Sequence, residues 1–130
     1  MTTGIQAKEQ HSHQAIKLEW LDRDLSLLAF NERVLDWAKR ADVPLLERLR
    51  YLCIVSSNLD EFFEVRAALY NSVEHPKAPL DAAGTHAQHS LSKVAHALVD
   101  EQYALYNDVL MPAFAKEGVR ILSHGDRTLA

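Results

Sequence analysis

Apolar residues recur at intervals of three and four in four segments of this chain, and this spacing constrains its fold more than any other feature. Side chains at such intervals lie on one face of an α-helix, which buries that face against its neighbours. The apolar positions are Leu27, Leu28, Phe30, Val34, Leu35, Trp37 and Ala38; then Leu45, Leu46, Leu49, Leu52 and Cys53; then Leu59, Phe62, Phe63, Leu69, Tyr70 and Val73; and finally Leu91, Val94, Ala95, Leu98, Leu105 and Val109. We predict an all-α protein, a small helical bundle of about four main helices.

Local signals mark the ends of the first two helices. Asp24 or Ser26 can cap the first, which we expect to end near Arg40. Pro44 suits the first turn of the second, because its missing amide hydrogen would have no partner there, and this helix is expected to reach Val55. The polar residues on the first helix are expected to form a solvated face or local ion pairs: Asn31, Glu32, Arg33 and Asp36. On the second helix, Glu47, Arg48 and Arg50 are expected to face outward or toward a neighbour.

A polar interruption at Ser56, Ser57 and Asn58 predicts the start of a third helix. Ser57 and Asp60 are spaced as in a capping box, so Asn58 is expected in the first helical turn, at a corner of the domain. First-turn amides lack partners within the helix and attract polar or anionic ligands. The Asn58 amide offers a donor and an acceptor, which match the edge of an adenine base. The alternative is that Asn58 only caps its helix and turns the chain, and local sequence favours this alternative.

Proline and glycine residues mark a loop and the helix ends in the rest of the chain. Prolines within 74–84 predict a loop, and Thr85 with Gln88 forms another capping box that begins a long helix. Pro112 should kink or restart that helix, and Gly118 suits the left-handed position that closes its last turn.

We expect three regions along the chain. Residues 1–18 are polar and are predicted to be a disordered tail, and 19–118 should form the helical domain. The alternating segment 119–122 predicts a short strand-like stub, which has no partner strand in this sequence. We therefore interpret 119–130 as the start of a further, truncated domain.

Composition excludes several classes of protein. The net charge is -4 over 130 residues and the basic residues are interspersed with acids, so nucleic acid is not an expected partner. There is no apolar run long enough to span a membrane and no secretory signal in the sequence, which predicts a cytoplasmic protein without a transmembrane segment. Cys53, the single cysteine, cannot form an internal disulfide and is expected to be a small buried hydrophobe.

Neither of the two clusters of titratable residues completes a catalytic or metal site. His86, His89 and His96 have helical spacing, but no carboxylate or thiolate joins them, so no metal site is predicted. The acidic residues Asp60, Glu61 and Glu64 have simpler roles in capping and solvation. No phosphate-binding glycine loop or activated nucleophile is present in the sequence, so we expect no catalytic residue in this chain.

Two blocks of sequence carry a resemblance to a known family. They are 24–35, which reads DLSLLAFNERVL, and 44–52 running into 56–66, which reads SSNLDEFFEVR. Over about Trp20 to Leu122, the chain resembles the N-terminal domain of polyphosphate kinase.

The resemblance implies an enzyme that reversibly transfers the terminal phosphate of ATP to polyphosphate through a phosphohistidine located outside this chain. It implies that Asn58 is a nucleotide-binding residue near the adenine. ATP would be a substrate, and Mg²⁺ would be needed but not bound by residues of this chain. Expected partners are ATP, polyphosphate, the remaining domains of the same chain, and further copies in a homo-oligomer. The alternative is a non-catalytic helical docking module for contacts between domains or subunits.

Overall fold

The computed structural model describes the backbone of 3–73, 82–123 and 125, with side chains described for 19, 21–65, 89–123 and 125. Helix α1 spans Thr3–Lys39 and α2 spans Leu45–Val73. Helix α3 spans Ala82–Ala104 and continues through a π-helical segment, Leu105–Leu110, into α4, Met111–Lys116. The part of the chain that is described contains no strand, so the all-α prediction is confirmed with three long helical runs in place of four main helices.

Helices α1 and α2 form an antiparallel hairpin. Two contacts set their register, since Trp37 packs its ring near that of Tyr51, while Asn31 bonds to Asn58 further along both helices. The third run packs on both of them, and it contacts the end of α1 through the Lys39–Glu101 pair. The shared core contains these buried apolar residues: Leu28, Leu35, Ala38, Leu52, Val55, Leu59, Phe62, Leu91, Ala95, Leu98, Leu105, Leu110 and Phe114.

The predicted break between the second and third helices is wrong. Helix α2 runs unbroken through Ser56, Ser57 and Asn58. The buried residues Leu52, Val55 and Leu59 lie three and four positions apart, so the apolar stripe keeps its phase across the polar residues. Serine and asparagine cost only fractions of a kcal/mol each relative to alanine inside a helix, about 0.5 kcal/mol or slightly more. Burial of the continuous stripe outweighs that cost.

The expected start of the first helix is also wrong. Helical backbone begins at Thr3, well before Asp24 or Ser26, and it covers most of 1–18, where we expected a disordered tail. That segment contains no proline, and its Gln, Ala and Lys residues tolerate helical geometry well. The expected end near Arg40 is confirmed, since α1 stops at Lys39. The division into 1–18, 19–118 and 119–130 stays a prediction.

The buried face of α1 differs from the predicted stripe. Leu28 and Leu35 are buried, whereas Phe30 and Trp37 keep 46% and 47% of their surface exposed. Because α1 packs against two neighbours, its buried arc is centred on the line between them. Phe30 and Trp37 therefore lie at its edge.

Pro112 acts as expected on the third run. The π-helical segment ends just before it, with the Met111 amide donating to the Tyr106 carbonyl. A proline ring clashes with the carbonyl four residues earlier in a regular α-helix, and the wider π turns change that spacing. The capping box at Thr85 falls inside α3, which begins at Ala82, and the side chains of Thr85 and Gln88 lie outside the described ones.

Gly118 closes the last helix as predicted. Its φ is +71°, and its amide donates to the Ala115 carbonyl at 3.1 Å. The Val119 amide donates to the Phe114 carbonyl at 2.9 Å, which completes the bond pair of a Schellman motif. The strand-like stub expected at 119–122 is not found, because these residues carry no strand assignment. Of the predicted loop 74–84, residues 74–81 lie outside the described part and 82–84 are helical.

Candidate functional site

Asn58 lies in the interior of α2, about three and a half turns after Leu45. The amides around it bond within the helix, so the free first-turn amides expected from the sequence are not available to a ligand at this position. The side chain is half-buried on the flank of α2 that faces α1. Any ligand contact at Asn58 must therefore come from its side-chain amide.

A buried asparagine on α1 holds that amide. Asn58 donates from Nδ2 to Oδ1 of Asn31 at 3.0 Å, and Asn31 donates from its own Nδ2 to the Leu27 carbonyl at 3.0 Å. Asn31 has no exposed surface, although the sequence analysis assigned it to a solvated face. The signal that could have identified it is its position, three residues after Leu28 and four before Leu35, in the middle of the buried stripe.

Asn58 shares its face of α2 with apolar residues, and this face meets an apolar face of α1 at the contact between Trp37 and Tyr51. We call these two faces together the α1–α2 seam and define it by Phe30, Val34 and Trp37 of α1 together with Tyr51, Ile54, Asn58 and Val65 of α2. Residues three, four or seven apart lie on one helix face, and the Trp37–Tyr51 ring contact at 6.2 Å joins the two faces.

The seam is open to solvent along much of its length. Phe30, Ile54 and Val65 are 46%, 39% and 44% exposed, respectively. Isolated exposed apolar residues are ordinary, but here they line one strip that contains a single half-buried amide. Such a strip can receive a flat aromatic group by apolar contact, while the amide hydrogen-bonds its edge.

A small charged cluster lies at one end of the seam. The Arg40 guanidinium stands 4.5 Å from the centre of the Trp37 ring and donates two hydrogen bonds to the Asp42 carboxylate, at 2.9 and 2.5 Å. These bonds lower the pKa of Asp42 and raise the pKa of Arg40. Because the two charges compensate each other, this cluster adds no net charge to the seam.

Arg48 fixes the end of α1 where the chain turns into α2. It is 8% exposed and donates from Nε to the Ala38 carbonyl at 2.8 Å and from Nη2 to the Lys39 carbonyl at 3.2 Å. These are last-turn carbonyls that lack partners within their own helix. Arg48 thereby stabilises the hairpin that holds Asn31 opposite Asn58.

The other candidate residues stand apart from the seam. His96 packs its ring 5.3 Å from that of Phe63, and His89 is exposed, while the His86 side chain lies outside the described ones. The carboxylates of Asp60, Glu61 and Glu64 are on exposed residues, and Asp60 caps no helix because no helix starts there. Cys53 is exposed, so its predicted burial is wrong.

No group of three or more His, Cys, Asp or Glu residues that could hold a metal ion occurs among the described residues. Within the same part of the chain, no helix is both long enough and apolar enough to cross a membrane.

Comparison with known proteins identifies the family. A family model described as "Polyphosphate kinase N-terminal domain" matches 20–122. A protein named polyphosphate kinase from Neisseria meningitidis serogroup B is 52% identical over 104 residues, which cover 76% of this chain and 15% of the relative. One of the same name from Burkholderia cenocepacia is 44% identical over 109 residues, covering 81% of this chain and 16% of the relative.

The chain therefore spans only about a sixth of the length of these curated relatives. No solved structure matches it. The family match covers most of the chain, including both sequence blocks and Asn58. On this evidence, the chain belongs to the polyphosphate kinase N-terminal domain family.

Proposed function

We propose that this chain is the N-terminal region of a polyphosphate kinase and that Asn58 contacts the adenine base of ATP in the full-length enzyme. That enzyme would transfer the terminal phosphate of ATP reversibly to polyphosphate through a phosphohistidine outside this chain. The chain alone would be inactive, and its contribution would be to bind and orient the nucleotide.

The observation that carries the proposal is the setting of Asn58. It is the one asparagine in the motif Ser57 to Phe62, and its half-buried amide lies in an open apolar seam. The bond to Asn31 uses one amide hydrogen, so that bond leaves the carbonyl oxygen and the second hydrogen of Asn58 for a ligand. Adenine presents a donor and an acceptor side by side, so one amide can pair with both. Phe30 and Ile54, both partly exposed, offer apolar surface to the face of a base.

The proposed contact is to the base of the nucleotide, which takes no part in the chemical step. The described residues include no group of three or more His, Cys, Asp or Glu side chains that could hold a metal ion, and we assign no step of the reaction to a metal held by this region. A contact to the base is equally strong in the ground state and the transition state, because the base does not change during phosphate transfer. Loss of such a contact raises the Michaelis constant and leaves turnover nearly unchanged.

The test is Asn58→Ala in the full-length enzyme. A base-edge contact of this type is worth about 1 to 3 kcal/mol, which corresponds to about a 5- to 150-fold change in binding. We expect the KM for ATP to rise by at least several-fold, with kcat changed by less than about twofold. GTP, which lacks the adenine edge, should be affected less than ATP.

The matched control is Ser57→Ala, which changes the exposed neighbouring residue on α2. It should leave the KM for both nucleotides near the wild-type values. Equal loss with ATP and GTP, or unchanged ATP kinetics in a folded Asn58→Ala enzyme, would overturn the assignment of Asn58.

A docking module remains the second candidate function, because apolar residues away from the seam are also exposed. Leu46 is 69% exposed and Leu25 is 49% exposed. In a longer protein of which this chain is only one part, such residues can contact other domains or subunits. This candidate predicts that Leu46→Ser alters assembly of the full-length protein on size-exclusion chromatography, whereas Asn58→Ala alters neither assembly nor nucleotide kinetics.

A further inference from the structure

We infer that Asn31 is a positioning residue that sets the orientation of the Asn58 amide and, through it, the preference for adenine over guanine. This inference rests on the proposed role of Asn58 and adds a second residue and a specificity to it. It is carried by the chain of hydrogen bonds from Asn58 to Asn31 to the Leu27 carbonyl.

The orientation of Asn31 is determined by its own surroundings. Its amide is fully buried, and its Nδ2 group donates to the Leu27 carbonyl. A half-turn of this amide would bring Oδ1 against that carbonyl oxygen, so two acceptors would face each other in a buried place. The bond to Leu27 therefore keeps Oδ1 of Asn31 pointing toward α2, where Asn58 lies.

The orientation of Asn58 follows from that of Asn31. Asn58 directs Nδ2 at Oδ1 of Asn31, and the opposite orientation would set two carbonyl oxygens against each other. An isolated asparagine side chain can present either orientation to a ligand at similar energy. Asn31 removes that choice, so Asn58 presents its oxygen and its second amide hydrogen in one order along the seam.

That order matters for recognition of the base. On its Watson–Crick edge adenine has an amino donor beside an acceptor nitrogen, whereas the same edge of guanine has a carbonyl acceptor beside an N–H donor. A freely turning asparagine amide can match both bases by exchanging the positions of its oxygen and nitrogen. A fixed amide matches only one of them, and the mismatched base loses hydrogen bonds and binds less tightly.

The experiment uses the full-length enzyme with Asn31→Leu. Leucine is similar in size to asparagine and suits the buried apolar stripe, but it lacks the hydrogen-bond acceptor. Without that acceptor the Asn58 side chain is free to turn, which should raise the KM for ATP about 2- to 10-fold, with kcat within twofold of wild type. The ratio of kcat/KM for ATP to that for GTP should fall. Asn31→Ala provides a smaller replacement if leucine overpacks the site, and Glu32→Ala, at an exposed neighbour, serves as the control.

A double variant separates positioning from a structural role. If Asn31 acts through Asn58, Asn31→Leu or Asn31→Ala should have no further effect on nucleotide preference in the Asn58→Ala background. An equal effect in both backgrounds, or an unchanged ATP-to-GTP ratio in folded Asn31 variants, would overturn this inference and leave the role of Asn58 intact. Unchanged ATP kinetics in Asn58→Ala itself would overturn the proposed function together with this inference.

Discussion

Arg48→Met should reduce the free energy of unfolding of this chain by about 2 to 4 kcal/mol. Arg48 is 8% exposed and is the side chain that bonds the last carbonyls of α1, at Ala38 and Lys39. Methionine retains much of the apolar stem but neither the charge nor the donors. The variant therefore tests the bonds separately from the packing.

The magnitude follows from three contributions. Each hydrogen bond from a charged donor is worth roughly 1.5 to 3 kcal/mol, so two bonds set an upper limit near 6 kcal/mol. A cation beside a helix C-terminus adds up to about 2 kcal/mol in a partly buried position. Desolvation of the guanidinium opposes both terms by several kcal/mol, which brings the net loss to the range given above.

The assay is urea denaturation of the 130-residue chain, followed by far-ultraviolet circular dichroism. Arg50→Met is the matched control, because its side chain is 74% exposed and its nearest oxygen partner, on Glu47, is 3.8 Å away. That control should change stability by about 0.5 kcal/mol or less. Equal stability of the Arg48→Met and Arg50→Met variants would refute the reasoning.

Two further predictions concern stability. Phe62→Ala should cost about 3 to 5 kcal/mol, because Phe62 is buried in the shared core, and Phe30→Ala, at a half-exposed ring, should cost much less in the same urea titration. The hydrogen bonds from Arg40 lower the pKa of Asp42 in the folded chain relative to the unfolded chain. Their stabilising effect is therefore present above the ordinary pKa of 3.8, and it is lost as the pH falls through the lower pKa that Asp42 has in the folded chain. Asp42→Asn should accordingly lower the melting temperature slightly at pH 6, and this deficit should shrink as the pH is lowered below 3.8. A deficit of the same size at every pH would contradict the pair's role.

Helix class and two helix ends were predictable because their signals are local. Pro44 directly precedes α2, and Gly118 adopts the left-handed conformation that few other residues tolerate. Both signals depend on the backbone of the residue itself. Neighbouring helices do not alter them.

The false break at Ser57 shows how a local signal can be overruled. The spacing of Ser57 and Asp60 suits a helix start, but it is also compatible with a helix interior. Only packing decides between these states, and Leu52, Val55 and Leu59 bury one unbroken stripe against the other helices. A capping pattern without a proline or glycine is therefore weak evidence for a new helix.

The candidate site was predictable only in part. Asn58 was identified from a motif, but the burial of Asn31 and the bond between them join residues 27 positions apart. Such a pairing depends on the register of the α1–α2 hairpin, which local sequence does not specify. The edge positions of Phe30 and Trp37 were missed for the same reason, because the buried arc of α1 is set by two neighbouring helices at once.

Asn58→Asp gives a direct test of the asparagine pair. At the start of a helix, aspartate would replace asparagine at little cost, but Asn58 lies inside α2 and donates to Oδ1 of Asn31. An ionised carboxylate cannot donate, and turning Asn31 to supply a donor would set its oxygen against the Leu27 carbonyl. We expect a loss of about 1 to 3 kcal/mol in the free energy of unfolding at pH 7.

The carboxyl group that this substitution introduces can donate to Asn31 once it is protonated, so the deficit relative to wild type should shrink as pH falls toward 4. A deficit that is independent of pH, measured by urea denaturation from pH 4 to 7, would show that the Asn58–Asn31 bond does not form in solution.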